Sequence, residues 1–156
     1  MPTATVTTTA TVTTTATPEV PSAQKPARIG SEVIGDGVVV QLIEVDPNTP
    51  VDFEDHERWA SALVKTCATV DTKDGEPLEV SWAAWQMTDA QSGVYNITDV
   101  TGGVTYPLPT YPQFPQRLAK GQCVRGWITF NVAPNTKLSQ VIYGNGGAEP
   151  IHWTID

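Results

Sequence analysis

Positive charge, cysteine and histidine are all scarce in this chain, and each scarcity removes a class of function. Only nine of 156 residues are lysine or arginine, against 17 acidic ones, for a formal net charge of −8. The nine (Lys25, Arg28, Arg58, Lys65, Lys73, Arg117, Lys120, Arg125 and Lys137) are scattered rather than gathered in a stripe. Nucleic acid is therefore not expected as a partner, because phosphate contacts need a basic footprint. There are two histidines, His56 and His152, far apart in sequence, and no Gly-x-Ser-x-Gly, His-Glu-x-x-His or Cys-x-x-Cys motif. No catalytic constellation is recognisable, so no enzyme activity and no cofactor are expected. A hydrolase whose triad partners meet only in space is the remote alternative, open to a test with a serine-reactive phosphonate. No apolar run approaches the length of a membrane span, and Met1 is followed by Pro and Thr rather than by a charged and then apolar leader. The expectation is that a native leader or anchor is missing and that Met1 is a start codon supplied for expression.

The first 28 residues lack any aromatic side chain and any large aliphatic beyond valine, and ATVTTT occurs twice in tandem, at Ala4 and Ala10. Such a segment buries too little apolar surface to offset the entropy of ordering it. Residues 1–28 are read as a disordered Thr/Pro-rich linker, of a kind often glycosylated in exported stalks, and residues 29–156 as one folded domain.

From Ile29 the apolar residues follow a two-residue rhythm. SEVIGDGVVVQLIEVD reads as a short strand, a turn at Gly35 to Gly37 and a longer strand through Val45. The acidic stretch from Val51 to Arg58 reads as a solvated loop, and Trp59 to Thr72 as a strand ending at the turn Lys73-Asp74-Gly75. Leu78 to Thr88 is read as pairing through Ala90 to Gly93 with Val94 to Val100. TGGVTYPLPTYPQFPQR, with four prolines, is a surface crossover, since proline cannot donate within a central strand. Gln122 to Val132, Leu138 to Tyr143 and Ile151 to Ile155 complete the set, the last two flanking a turn at Gly144 to Gly147. Seven or eight short strands without a helical period predict an all-β, immunoglobulin-like antiparallel sandwich.

Two cysteines admit two buried thiols or one bridge. The Thr-rich head and the all-β pattern suit an extracellular protein, where oxidised pairs persist, so a disulfide between Cys67 and Cys123 is expected.

GQCVRGWITFNVAP from Gly121 to Pro134, a following VIY strand and a closing HW, together with CATVDTKDGEPLEVSWAAWQMTDAQSGVY from Cys67 to Tyr95, resemble a family of bacterial extracellular immunoglobulin-like domains of unknown function. A mycobacterial immunogenic secreted protein has a related sandwich. The resemblance covers about Ile29 to Asp156; it implies a sandwich fold and an exported habitat, and carries over no catalytic residue.

Alternation also assigns faces. Val124, Gly126, Ile128, Phe130 and Val132 share one side of their strand, with Cys123, Arg125, Trp127, Thr129 and Asn131 on the other. Likewise Ala62, Val64, Thr66, Ala68 and Val70 oppose Leu63, Lys65, Cys67, Thr69 and Asp71. Both cysteines fall on the more polar side, which predicts a bridge within one sheet or near strand ends rather than one spanning the core. Trp82 and Trp85 have opposite phase; Trp85 with Met87 is expected inward, and Trp82 half-exposed against a loop.

Asp52, Glu54, Asp55 and Glu57 with His56 form an acidic cluster that lacks the order and the glycine of a calcium loop, so no metal site is expected. His152 reads as a surface or sheet-edge residue. The remaining candidate is YPLPTYPQFP, Tyr106 to Pro115, whose prolines preset an extended backbone suited to recognising another protein. Tyr106, Tyr111 and Phe114 form the candidate partner surface, unless they pack down as a lid on the sandwich edge. The functional expectation is a monomeric, non-catalytic exported binding or adhesion-like module at the bacterial cell surface, contacting a protein or cell-wall component. A structural spacer without a ligand is the alternative.

Overall fold

The computed structural model of the chain describes residues 25–50, 58–69, 77–97, 107–144 and 149–156. The Thr-rich repeat, the acidic cluster of residues 52–57, the turn at residues 73–75, Tyr106 and the turn residues 145–147 lie outside them.

Val, Ile and Leu make up most of the hairpin that begins the sandwich, fully buried at every second position from Val38 to Leu42, and β-branched side chains suit a pleated, half-buried surface. β2 (Glu32–Ile34) pairs antiparallel with β3 (Val38–Asp46). Gly37 sits at φ 74° in the connecting turn, where a side chain would be strained, and the Gly35 amide donates to the Val38 carbonyl at 2.9 Å. β3 then pairs with β4 (Arg58–Ala68), and β4 with β9 (Cys123–Val132), giving a four-stranded sheet in the order β2-β3-β4-β9.

The second sheet runs β1-β11-β10-β6-β7, from β1 (Ala27–Arg28), β11 (Ile151–Thr154), β10 (Leu138–Tyr143), β6 (Trp85–Asp89) and β7 (Val94–Tyr95). A two-stranded sheet of β5 (Leu78–Val80) and β8 (Gln116–Leu118) lies beside them.

The inward residues read from β4, β6 and β9 join others from β3, β10 and β11 in the core. Val38, Val40, Leu42, Ala60, Ala62, Val64, Ile128, Phe130 and Val132 from one sheet meet Trp85, Met87, Val141, Tyr143, Ile151 and Trp153 from the other. Small residues on β4 oppose large ones on β9, Ala60 against Phe130 and Ala62 against Ile128, so the two strands together fill one layer. Trp85 lies 4.9 Å from Tyr143, 5.8 Å from Trp153 and 6.2 Å from Tyr111, ring centre to ring centre. Those separations are typical of attractive aromatic pairs.

Three features depart from the sequence reading. Eleven strands occur among the described residues, because pieces of two or three residues supplement the seven or eight expected. The sandwich is not wholly antiparallel: β1 runs parallel to β11, with Ala27 opposite Trp153, so pairing begins before Ile29. Leu78 to Thr88 is not one strand either, since Trp82–Ala84 forms a turn of 3-10 helix. The reason is phase: Val80 and Trp85 are both buried, yet an odd separation would place them on opposite faces of a continuous strand. The turn resets the alternation, directing Trp85 and Met87 inward and leaving Trp82 half-buried.

Candidate partner surface

Residues 107–115 run along the free edge of β9 and are fastened there by the backbone. The Trp127 amide donates to the Pro109 carbonyl at 2.8 Å, the Tyr111 amide to the Trp127 carbonyl at 3.0 Å, and the Trp82 amide to the Pro112 carbonyl at 2.9 Å. Proline's missing N–H is no loss here, because these prolines only accept.

Gly126 makes the approach feasible. A Cβ at this position would collide with the Tyr111 amide nitrogen and the Thr110 carbonyl group. Tyr111 then enters the core between the sheets, only 1% exposed, and its hydroxyl donates to Thr66 Oγ1 at 2.8 Å. Burial pushes its phenol up from the usual pKa, against the pull of the Thr66 bond.

The three aromatic residues predicted as a partner surface therefore do not act as a set. Tyr111 is a buried anchor; Phe114 is 79% exposed; Tyr106 lies outside the described residues. Leu108, which sequence reasoning passed over in favour of the aromatics, is 80% exposed on the same segment. Its place between Pro107 and Pro109 was the available signal, since prolines hold the chain out and leave an intervening side chain little to pack against.

The disulfide falls where strand alternation predicts. Cys67 and Cys123 are bonded, S–S 2.09 Å, and are direct cross-strand partners at the end of the β4 and β9 ladder. Along the same face come Lys65 opposite Arg125, Leu63 opposite Trp127 and Ser61 opposite Thr129. Thr49 Oγ1 donates to Ser61 Oγ at 2.8 Å, and Ser61 Oγ lies 3.0 Å from Thr129 Oγ1, so these buried hydroxyls satisfy one another.

Among the described residues, no three His, Cys, Asp or Glu side chains come together as a metal site would require. His152 is half-buried on β11, its Nδ1 3.3 Å from Gln140 Oε1. Asp89 accepts from the Tyr95 hydroxyl at 2.8 Å and from the Gly93 and Gln91 amides at 2.7 and 2.9 Å, which together hold its carboxyl below the usual range. That arrangement closes the β6–β7 turn.

Solved structures share this architecture. The fold is that of a secreted mycobacterial protein. MPT63 of Mycobacterium tuberculosis superposes with a TM-score of 0.58 at 15% identity, over 85% of this chain and 99% of its own. YjhA of Bacillus subtilis gives 0.59 at 11% identity, over 83% and 98%. YcdA of Bacillus subtilis, described as a candidate lipoprotein, gives 0.56 at 16% identity; 80% of this chain aligns with 38% of that one. No protein-family model matches the chain, and no curated protein matches it. The resemblance drawn from the sequence is thus carried at the level of fold.

Proposed function

We propose that the chain is an exported, non-catalytic binding module that contacts a protein or cell-wall component through Leu108 and Phe114. The observation that carries this reading is the fastened display segment: three backbone hydrogen bonds and a buried tyrosine fix residues 107–115 while two large apolar side chains stay in water. Single exposed apolar residues are ordinary, but two on one rigid, proline-set segment cost little entropy on docking. Export is supported by the disulfide and by the likeness to a secreted protein and a candidate lipoprotein.

Cosedimentation of the purified domain with cell envelopes of the organism that encodes it tests the reading. The wild-type domain should pellet with envelopes, and L108A/F114A, with unchanged thermal stability, should stay in the supernatant. Equal pelleting of both would show that binding does not run through Leu108 and Phe114, and no pelleting by the wild type would leave the chain a spacer.

A further inference from the structure

A concavity that shares no residue with the display segment opens at the end of the sandwich away from the disulfide. It is an open groove of about 480 Å³ between the exit of β3, the start of β4, the β9–β10 turn and the exit of β11. Its central polar group is Arg58. The guanidinium Nε donates to the Pro47 carbonyl at 3.0 Å and Nη1 to the Thr136 carbonyl. Asn135, at φ 61°, shapes the turn that brings this second carbonyl to Arg58.

Two neutral acceptors fix the plane of the guanidinium without cancelling its charge. Both ion pairs among the described residues are elsewhere, Lys65 with Glu32 and Arg117 with Glu79. The guanidinium has five N–H donors in a rigid fork suited to bidentate carboxylate recognition, and the two carbonyls engage only part of it. Exposed Lys137 adds a second cation to the rim, Asp156 brings its side-chain carboxylate beside the end of the chain, and Leu138 and Ile155 give apolar wall.

We infer that this cleft binds a free carboxylate on a small apolar carrier, such as the C-terminal residue of a peptide, with the carboxylate on Arg58 and Lys137 and the aliphatic part against Leu138 and Ile155. A phosphate would gain the same charge but waste the apolar wall.

Titration of the 15N-labelled domain with N-acetyl-alanyl-leucine, its C-terminal amide and isovalerate, followed by amide chemical shifts, tests the inference. The free acid should move the amides of Asn48, Thr136, Lys137 and Ile155 saturably, and the C-terminal amide should not. Saturation by isovalerate as well would identify the source as any small branched acid; saturation by the peptide alone would identify a peptide terminus. Arg58→Gln also removes two structural hydrogen bonds, so Lys137→Gln is the decisive variant. With the rest of the spectrum unchanged, it should weaken the free acid roughly two- to fivefold, as expected for one exposed charge. Equal shifts from acid and amide, undiminished binding by Lys137→Gln, or no saturable shift would overturn it.

Discussion

Cys67 and Cys123 stand directly opposite each other across β4 and β9, with their Cα atoms 4.0 Å apart. The Ala68 amide donates to the Gln122 carbonyl one step further on, which makes the cysteine pair a non-hydrogen-bonded one, where side chains approach most closely. Nine further residue pairs join the same two strands, so the bridge is not what aligns them.

Removing it should therefore cost stability but not architecture. The bridge spans a sequence separation of 56 residues. On the chain-entropy model, closing a loop of that length restricts the unfolded state by about 4 kcal/mol. C67A/C123A should keep the sheet signature in circular dichroism and melt about 15 °C lower, at roughly 4 °C per kcal/mol for a domain of this size. Collapse of the spectrum at room temperature would mean that the ladder cannot hold the sheet unaided.

The buried tyrosine and the exposed phenylalanine of the display segment should separate cleanly in stability. Tyr111→Ala empties an aromatic site between the sheets and should cost about 3–5 kcal/mol. Tyr111→Phe removes only the bond to Thr66, leaving that buried hydroxyl without its partner, and should cost about 1 kcal/mol. Phe114→Ala should change stability by no more than about 0.5 kcal/mol, because its side chain is in water. Urea unfolding of the three variants gives the ranking, and a large loss for Phe114→Ala would show that this ring is covered.

Which parts of this were legible beforehand follows from the physics. Strand alternation reports what each side chain faces, so the core faces of β4 and β9, the inward Trp85 and Met87, and the in-sheet position of Cys67 and Cys123 were readable from residue order. Tyr111 and Phe114 sit in the same Pro-aromatic pattern, and nothing local distinguishes an anchor from a displayed ring; that choice is made by Gly126, fifteen residues later. The pairing of Ala27 and Arg28 with β11 is set by the far end of the chain, and two residues have no rhythm to read. The Arg58 cleft is likewise assembled from four separate segments, none of which carries a motif.

Gly126 should prove intolerant of any side chain. Its backbone is not in the left-handed region, so conformational freedom is not at issue; the space for Cβ is already taken by the backbone of Thr110 and Tyr111. Gly126→Ala must either displace the 107–115 segment, breaking its bonds to Trp127, or bend β9. A loss of about 2 kcal/mol or more is expected, with faster limited proteolysis within residues 107–115. If cleavage in that segment stays at the wild-type rate while stability falls, the strain has gone into the sheet instead.

Alkaline pH should weaken the fold through Tyr143. Its phenol is pushed from 10.0 up to about 12, by burial first and then by the neighbouring Tyr111 phenol. Above pH 10 the unfolded chain releases this proton while the folded chain keeps it, so the unfolded state binds fewer protons and stability falls as pH rises. The contribution is intact below pH 10 and is lost progressively between about 10 and 12, amounting to roughly 2–3 kcal/mol for this residue. Tyr111, whose phenol is also raised by burial, adds to the loss in the same direction. Urea midpoints measured every half unit from pH 9 to 12 should fall more steeply for the wild type than for Tyr143→Phe, which has no proton to lose at that site. Parallel curves across the window would mean that the Tyr143 hydroxyl reaches solvent in the folded protein.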